Sequence, residues 1–310
     1  MSRPARQNRP WPGGWVTSSH RAAHASSPVS SPVTDGASPR SSAPNTRRKR
    51  SGLTGSWYPD RVPNYPPLRR YVFAVVDRWI ERHALSGPFL EVGCGTGLLA
   101  EHLAARGWTG VALDSSPAAA ARARERLAAR TGIACVEGDL DAAPAGPYRT
   151  VFMMDVLEHV ADDEALLGAL AARLAPGGAL VLLVPVNPRE WGPDDALYGH
   201  CRRYGWEEVE MKLGRAGLEP ADRWNVTVPV MWALRRLYLA LLPRGQVPAP
   251  RDALTAASSF FNPWDRSGAL RLAGAVTARA WWGPLFALQD LFARSRRGHA
   301  ALFLSRKRAA

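Results

Sequence analysis

Apolar and polar positions alternate along this chain in a pattern that changes character at about residue 56. Residues 1–55 are rich in Ser, Pro and Arg and poor in large aliphatics, show no periodicity, and predict a disordered tail. Over residues 68–84, Val72, Val75, Val76, Trp79 and Ile80 recur at helical spacing and predict an amphipathic helix. Phe89, Leu90 and Val92 then form a strand-like run that opens into three closely spaced glycines, and Leu98, Leu99, Leu103 and Ala104 resume helical spacing. Strand and helix go on alternating, with strands at 111–113, 133–136, 151–154 and 179–186 and helices at 117–130 and 162–174. The turn Pro176-Gly177-Gly178 precedes the wholly apolar strand at 179–186. A helix at 206–216 ends before Gly217, a strand follows at 220–228, and 300–305 reads as one more strand. Such alternation predicts an α/β fold, a parallel sheet with helices on both faces.

The glycine loop carries the first chemical information. Gly93, Gly95 and Gly97 permit positive φ and close approach of a ligand. A strand, glycine loop and helix suit either a dinucleotide or another adenosine ligand. The dinucleotide fingerprint G-x-G-x-x-G/A needs a small residue at 98, where Leu98 stands. Glu91 would also repel a pyrophosphate at the helix N-terminus, whereas a cationic ligand would be attracted to it. The E-x-G-x-G-x-G arrangement therefore suits S-adenosyl-L-methionine, which carries an ammonium and a sulfonium and no phosphate.

The stretch resembles the first motif of the class I S-adenosylmethionine-dependent methyltransferases, and the resemblance extends over residues 70–228. It implies a Rossmann-like, doubly wound, mostly parallel seven-stranded sheet, whose last strand runs antiparallel beside the fifth and is supplied by the final residues. Residues 56–228 would then be the methyltransferase domain, 229–298 a helical apolar insertion acting as cap, lid or membrane contact, and 299–310 the last strand and a basic end. The resemblance places the cofactor against Glu91, Gly93, Cys94, Gly95 and Gly97, with Asp114 on the ribose hydroxyls, Asp139 and the Leu140 backbone on the adenine edge, and Asp155 on the methionine moiety. All the acids fall at predicted strand carboxyl ends, where open α/β sheets bind ligands. One departure is that Tyr148, Arg149 and Thr150 stand where the family often carries Phe-Asp before the fourth strand.

Two stretches are candidates for the methyl acceptor. Asp155, Glu158 and His159 share one face of a short helix, and His159 is a candidate general base. The run also resembles acid-x-x-Glu-His sites that hold a divalent metal in relatives acting on quinone precursors or small-RNA ends, although no metal is assigned from the sequence. Tyr198 to Tyr204 follows the fifth strand and resembles a G-H-x-R-R-Y stretch of such enzymes. His200 is a second catalytic candidate there, and Arg202, Arg203 and Tyr204 are candidates for acceptor binding. Pairing of the arginines with Asp194 and Asp195 is the structural alternative.

Composition narrows the partners. The formal charge is +13, but nine Arg or Lys lie in the first 50 residues and six after residue 292, so the body between is close to neutral. That argues against nucleic acid as a partner of the folded domain and favours a small-molecule or lipid-like acceptor. RNA or protein methylation, relying on the basic ends, is the alternative, and a non-catalytic cofactor-binding interaction module the alternative of another class. Cys94, Cys135 and Cys201 form no C-x-x-C pair, and no uncharged apolar run reaches 18 residues, so a cytoplasmic protein is expected. Aromatics, aliphatics and Arg between 230 and 292 suit a greasy lid or peripheral contact with anionic lipid.

Overall fold

The computed structural model describes residues 67–241 and 282–309. The tail at 1–55, the first residues of the expected methyltransferase domain up to residue 66 and most of the expected insertion lie outside the described residues.

The described chain runs α1 (Pro67–Arg82), β1 (Phe89–Val92), α2 (Leu98–Ala104), β2 (Gly110–Asp114), α3 (Pro117–Leu127), β3 (Ile133–Glu137), β4 (Tyr148–Met154), α4 (Asp163–Arg173), β5 (Leu174–Pro185), α5 (Pro193–Tyr198), α6 (Trp206–Arg215), β6 (Leu218–Asn225), α7 (Val230–Leu241), α8 (Trp282–Asp290) and β7 (Ala300–Lys307). One seven-stranded sheet has the order β3-β2-β1-β4-β5-β7-β6. The first five strands are parallel, and β7 enters antiparallel between β5 and β6. The Rossmann-like α/β reading therefore holds, including the antiparallel last strand.

Period-two alternation gives the sheet two buried faces. Leu90, Val92, Val151, Met153, Leu180, Leu182 and Val184 face one way and pack with Leu166, Leu170, Val209 and Leu213 of α4 and α6. Phe89, Phe152, Val181 and Leu183 face the other way, onto Val72, Val75 and Trp79 of α1 and Leu99 and Leu103 of α2. Burying each such aliphatic or aromatic contributes roughly 1.5–3 kcal/mol, so these layers dominate stability. Glu91 occupies a core position of β1, and its acid is buried.

Helix starts follow capping chemistry. Ser116 caps α3 by accepting from Ala119 N, and Asp162 caps α4 by accepting from Ala165 N. Several boundaries differ from the sequence reading: α3 ends at Leu127, β6 spans Leu218–Asn225 in place of 220–228, β7 runs on to Lys307, and β4 and β5 both start early. β4 begins at Tyr148, three residues early, because Tyr148 pairs with Leu174. β5 correspondingly starts at Leu174, and the predicted Pro176-Gly177-Gly178 turn becomes an irregularity inside it, where the register jumps from Leu174 to Ala179.

The sheet order puts a switch point between β1 and β4: from β1 the chain winds outward through β2 and β3, and from β4 it winds the other way through β5. Connections diverge there, leaving a crevice at the strands' carboxyl ends. The glycine loop follows β1 and Asp155 follows β4, so both open into that crevice.

Candidate active site

Gly93, Gly95 and Gly97 all have positive φ, at 72°, 54° and 76°. At Gly93 an added Cβ would lie 2.2 Å from Val156 Cγ2, so no side chain fits unless Val156 gives way. Asp114, at the end of β2, ties the loop down: one carboxylate oxygen accepts from Gly95 N at 2.7 Å and the other from Ser116 N at 2.9 Å. Burial pushes this carboxyl up although both amides favour its ionised form. A carboxylate has about four acceptor positions, so Asp114 keeps capacity for a diol while bound to both amides. Asp139 caps the short 3₁₀ turn Leu140–Ala142 by accepting from Asp141 N, and Gly138 N donates to Asp114 O, which joins the ends of β2 and β3.

Glu91 carries the cofactor-side electrostatics. Its Oε2 is buried without a hydrogen-bond partner, and burial pushes its pKa up to about 8 despite the positive charge of Arg69 and a hydrogen bond to the Ala100 backbone. An orphaned carboxyl on a core strand, beside a glycine cradle, fits a cationic ligand that returns its charge. Arg69 was not singled out from the sequence. Its charge acts on both Glu91 and Asp155, so α1 presents a cation to the same crevice. The only sequence signal was an Arg69-Arg70 pair at the start of an amphipathic helix, with nothing to say which faced the loop. Cys94 is buried next to Glu91, and its thiol is held protonated chiefly by burial.

Asp155 has φ 55°, a conformation that costs a non-glycine residue of order 1–3 kcal/mol and clusters at functional sites. The 3₁₀ turn Leu157–His159 follows it. Glu158 is fully buried with both carboxylate oxygens unpartnered, and desolvation together with the Asp155 charge raises it well above the usual range. His159 Nδ1 lies 3.3 Å from Gly199 O, and burial, chiefly, pushes its pKa down to about 4. His200, brought in from the segment after α5, stacks edge-on against His159 with ring centroids 5.0 Å apart. Donor atoms of Glu158, His159 and His200 all lie within 4.8 Å of one another. His200 Nε2 and Glu158 Oε1 are 3.7 Å apart, too long for a hydrogen bond. Two donors each about 2.1 Å from one ion sit roughly 3.4 Å apart in tetrahedral geometry, so the spacing is near that of two ligands sharing a cation.

The three residues expected to meet the acceptor make contacts within the protein. Arg203 is buried, with Nε donating to Asp195 Oδ2 at 2.9 Å, Nη2 paired to Asp195 Oδ1 at 2.8 Å, and Nη1 donating to the carbonyls of Val186 and His299. Tyr204 is fully buried and donates to Leu157 O and Asp163. Arg202 pairs with Asp163 and donates to Ala161 O. The physical reason is local: Tyr204 bridges to Val186 just past the end of β5, which holds the segment leading into it against the sheet. Tyr204 thereby braces the 3₁₀ turn that carries Glu158 and His159.

A doubly wound sheet, a glycine loop and a buried acid with one oxygen left unpartnered fit a protein that binds a cationic adenosine cofactor. Residues 68–222 match the sequence model of a methyltransferase domain family, and the chain belongs to the class I S-adenosylmethionine-dependent methyltransferase family. Its cofactor is S-adenosyl-L-methionine. Among curated relatives, the ubiquinone biosynthesis O-methyltransferase of Caulobacter sp. (strain K31) is 41% identical over 98 residues, covering 30% of this chain and 38% of that protein. The protein of that name from Xylella fastidiosa (strain 9a5c) is 35% identical over 43% of this chain and 55% of its own length, and that from Sodalis glossinidius (strain morsitans) 33% identical over 48% and 62%. The chain thus spans less than two thirds of these relatives. A solved structure of a candidate sarcosine dimethylglycine methyltransferase from Galdieria sulphuraria has the same fold, with TM-score 0.50, 14% identity, and coverage of 79% of this chain and 91% of that one.

Proposed function

We propose that the protein transfers a methyl group from S-adenosylmethionine to a hydroxyl oxygen of a small acceptor, and that Glu158, His159 and His200 bind the acceptor through a divalent cation. The observation that carries this reading is the buried Glu158 carboxylate, unpartnered at both oxygens and gathered with two imidazoles at the carboxyl end of β4. One carboxylate with two imidazoles suits a first-row ion such as Mn²⁺ or Zn²⁺. The relatives named O-methyltransferases support oxygen as the acceptor atom.

When bound, the cofactor supplies a methyl already activated on a sulfonium, and the cation supplies Lewis acidity toward a hydroxyl. The chain's own share is placement and charge. Glu91 offers a carboxylate to the cationic cofactor, Asp114 holds the glycine loop open beneath it, and Asp155 lies at the β4 end between the two halves of the site. His159 stays neutral and keeps a ring nitrogen lone pair for ligation. With a pKa near 4 it is too weak a base to take a hydroxyl proton unaided. An acceptor carrying two adjacent oxygens, one methylated and one held, fits a site with several donors on one side.

The test is methyl transfer from labelled S-adenosylmethionine to vicinal diphenols, monophenols and amines, with Mn²⁺ and with chelator. Labelling of diphenols that chelator lowers at least tenfold supports the proposal. Labelling of amines alone would overturn it.

A lipid-like acceptor has separate support. Leu237 of α7 and Leu285 and Leu288 of α8, the two elements that flank residues 242–281, are exposed, and Leu291 just past α8 is 81% exposed. Among the described residues no helix is long and apolar enough to cross a membrane, so the lipid reading concerns surface contact. Co-sedimentation with anionic vesicles that survives moderate salt supports it, and recovery in the supernatant at low salt counts against it.

A further inference from the structure

His200 is a proposed ligand whose orientation is set by a group that the methyl-transfer reading leaves unused. Asp195 lies in the six-residue helix α5 and is 0% exposed. Its Oδ1 is 2.8 Å from His200 Nδ1, and His200 N donates to its main-chain oxygen at 2.9 Å. The carboxylate is fixed from the other side by the two-point pairing with Arg203 and by Gly192 N at 2.7 Å, while Arg235 Nη2 lies 3.4 Å from Oδ2. Every hydrogen-bonding contact of the Asp195 carboxylate is with a nitrogen that carries or can carry a proton, and the buried Arg203 gives it a permanent counter-charge. An ionised carboxylate accepts and cannot donate, so the His200 atom facing it must be N–H.

We infer that Asp195 is a positioning residue that fixes His200 as the Nδ1–H tautomer and leaves Nε2 bare toward Glu158. This rests on the cation-binding proposal above for its consequence but not for its geometry. A metal-ligating imidazole needs its ligating nitrogen deprotonated and its other nitrogen bonded to an acceptor, and Asp195 provides the second condition. Arg203 acts one step further out: by occupying both carboxylate oxygens it stops Asp195 from rotating away from the ring. The arginine expected at the acceptor therefore serves the site from behind.

The wild-type protein tests the tautomer directly. Two-bond proton–nitrogen correlation of labelled histidine should show His200 protonated at Nδ1 and bare at Nε2. Protonation at Nε2 overturns the inference. A second measurement tests the consequence. Mn²⁺ binding followed by electron paramagnetic resonance should weaken 10- to 100-fold in Asp195→Asn, while calorimetric affinity for S-adenosylmethionine stays within twofold. Unchanged Mn²⁺ affinity in a variant that still binds cofactor overturns the inference. If Asp195→Asn loses cofactor affinity as well, the variant has misfolded and the wild-type tautomer decides. Absence of Mn²⁺ binding in the wild type, with His200 found as the Nδ1–H tautomer, overturns the cation proposal and leaves the positioning role standing.

Discussion

At the residue scale, Glu91 dominates. Its folded carboxyl ionises near 8, well above the unfolded value near 4.5, so between those pH values the folded state holds a proton that the unfolded state has lost. Stability therefore falls as pH rises from about 4.5 to about 8 on account of this group. Glu91→Gln is expected to remove that fall and stabilise the cofactor-free protein by roughly 4 kcal/mol at pH 8, read from denaturant unfolding. The same substitution should weaken cofactor binding, because the carboxylate must ionise to meet a cation. Calorimetry at pH 7 in buffers of different ionisation heat should show release of up to one proton on binding by the wild type and none by Glu91→Gln. Asp114→Ala removes the acceptor for Gly95 N and Ser116 N as well as the diol partner. A loss of roughly 10- to 100-fold in cofactor affinity is expected, the scale of one or two charge-assisted hydrogen bonds. Gly93→Ala should abolish cofactor binding outright, and Val156→Ala in the same chain should restore only part of it, since the φ of 72° remains.

At the element scale, most of the fold was legible and the acceptor side was not. Strands and helices up to β5 announce themselves because each buries one face or both. The glycine loop and the acids at 114, 139 and 155 follow from where strands end. Glu158 and His200 are 42 residues apart, and their approach depends on the chain after α5 folding back over the 3₁₀ turn, which periodicity does not record. Arg203 and Tyr204 read as acceptor ligands because Arg and Tyr are the usual chemistry of recognition, yet the sheet drew both inward. Asp195 looked like a bland ion-pair partner, and it is one, but its second oxygen contact reaches a site histidine. The connection between β6 and β7 adds its own brace. Arg235 of α7 is buried and pairs with Asp194 through both Nε and Nη2 at 2.7 Å. Arg235→Met leaves Asp194 buried without its partner and should cost roughly 3 kcal/mol in unfolding experiments, more than its surface neighbour Arg236→Met, whose guanidinium is half exposed.

At the scale of the whole molecule, three of the six basic residues after residue 292 form ion pairs with the domain. Arg294 pairs with Asp222, Arg296 with Glu207 and Arg308 with Glu219, while Arg306 and Lys307 donate to main-chain carbonyls of β5 or its approach. A cluster that reads in sequence as a basic patch is thus a set of clasps holding the last strand and the segment before it. If so, a chain lacking residues 1–55 should show no RNA retention in a mobility-shift assay at 150 mM salt, and retention by that shortened chain would revive the nucleic-acid alternative.

The position of β7 has a consequence for how the protein is made. Among the described residues, β6 touches the sheet only through β7, and β5 has no partner on that side but β7. On the ribosome, β6 emerges some 75 residues before its neighbour, so for that interval the nascent sheet ends in an unpaired, wholly apolar strand. The keystone is laid last, and a ribosome stalled between the two strands would present a sticky edge that calls for chaperone cover.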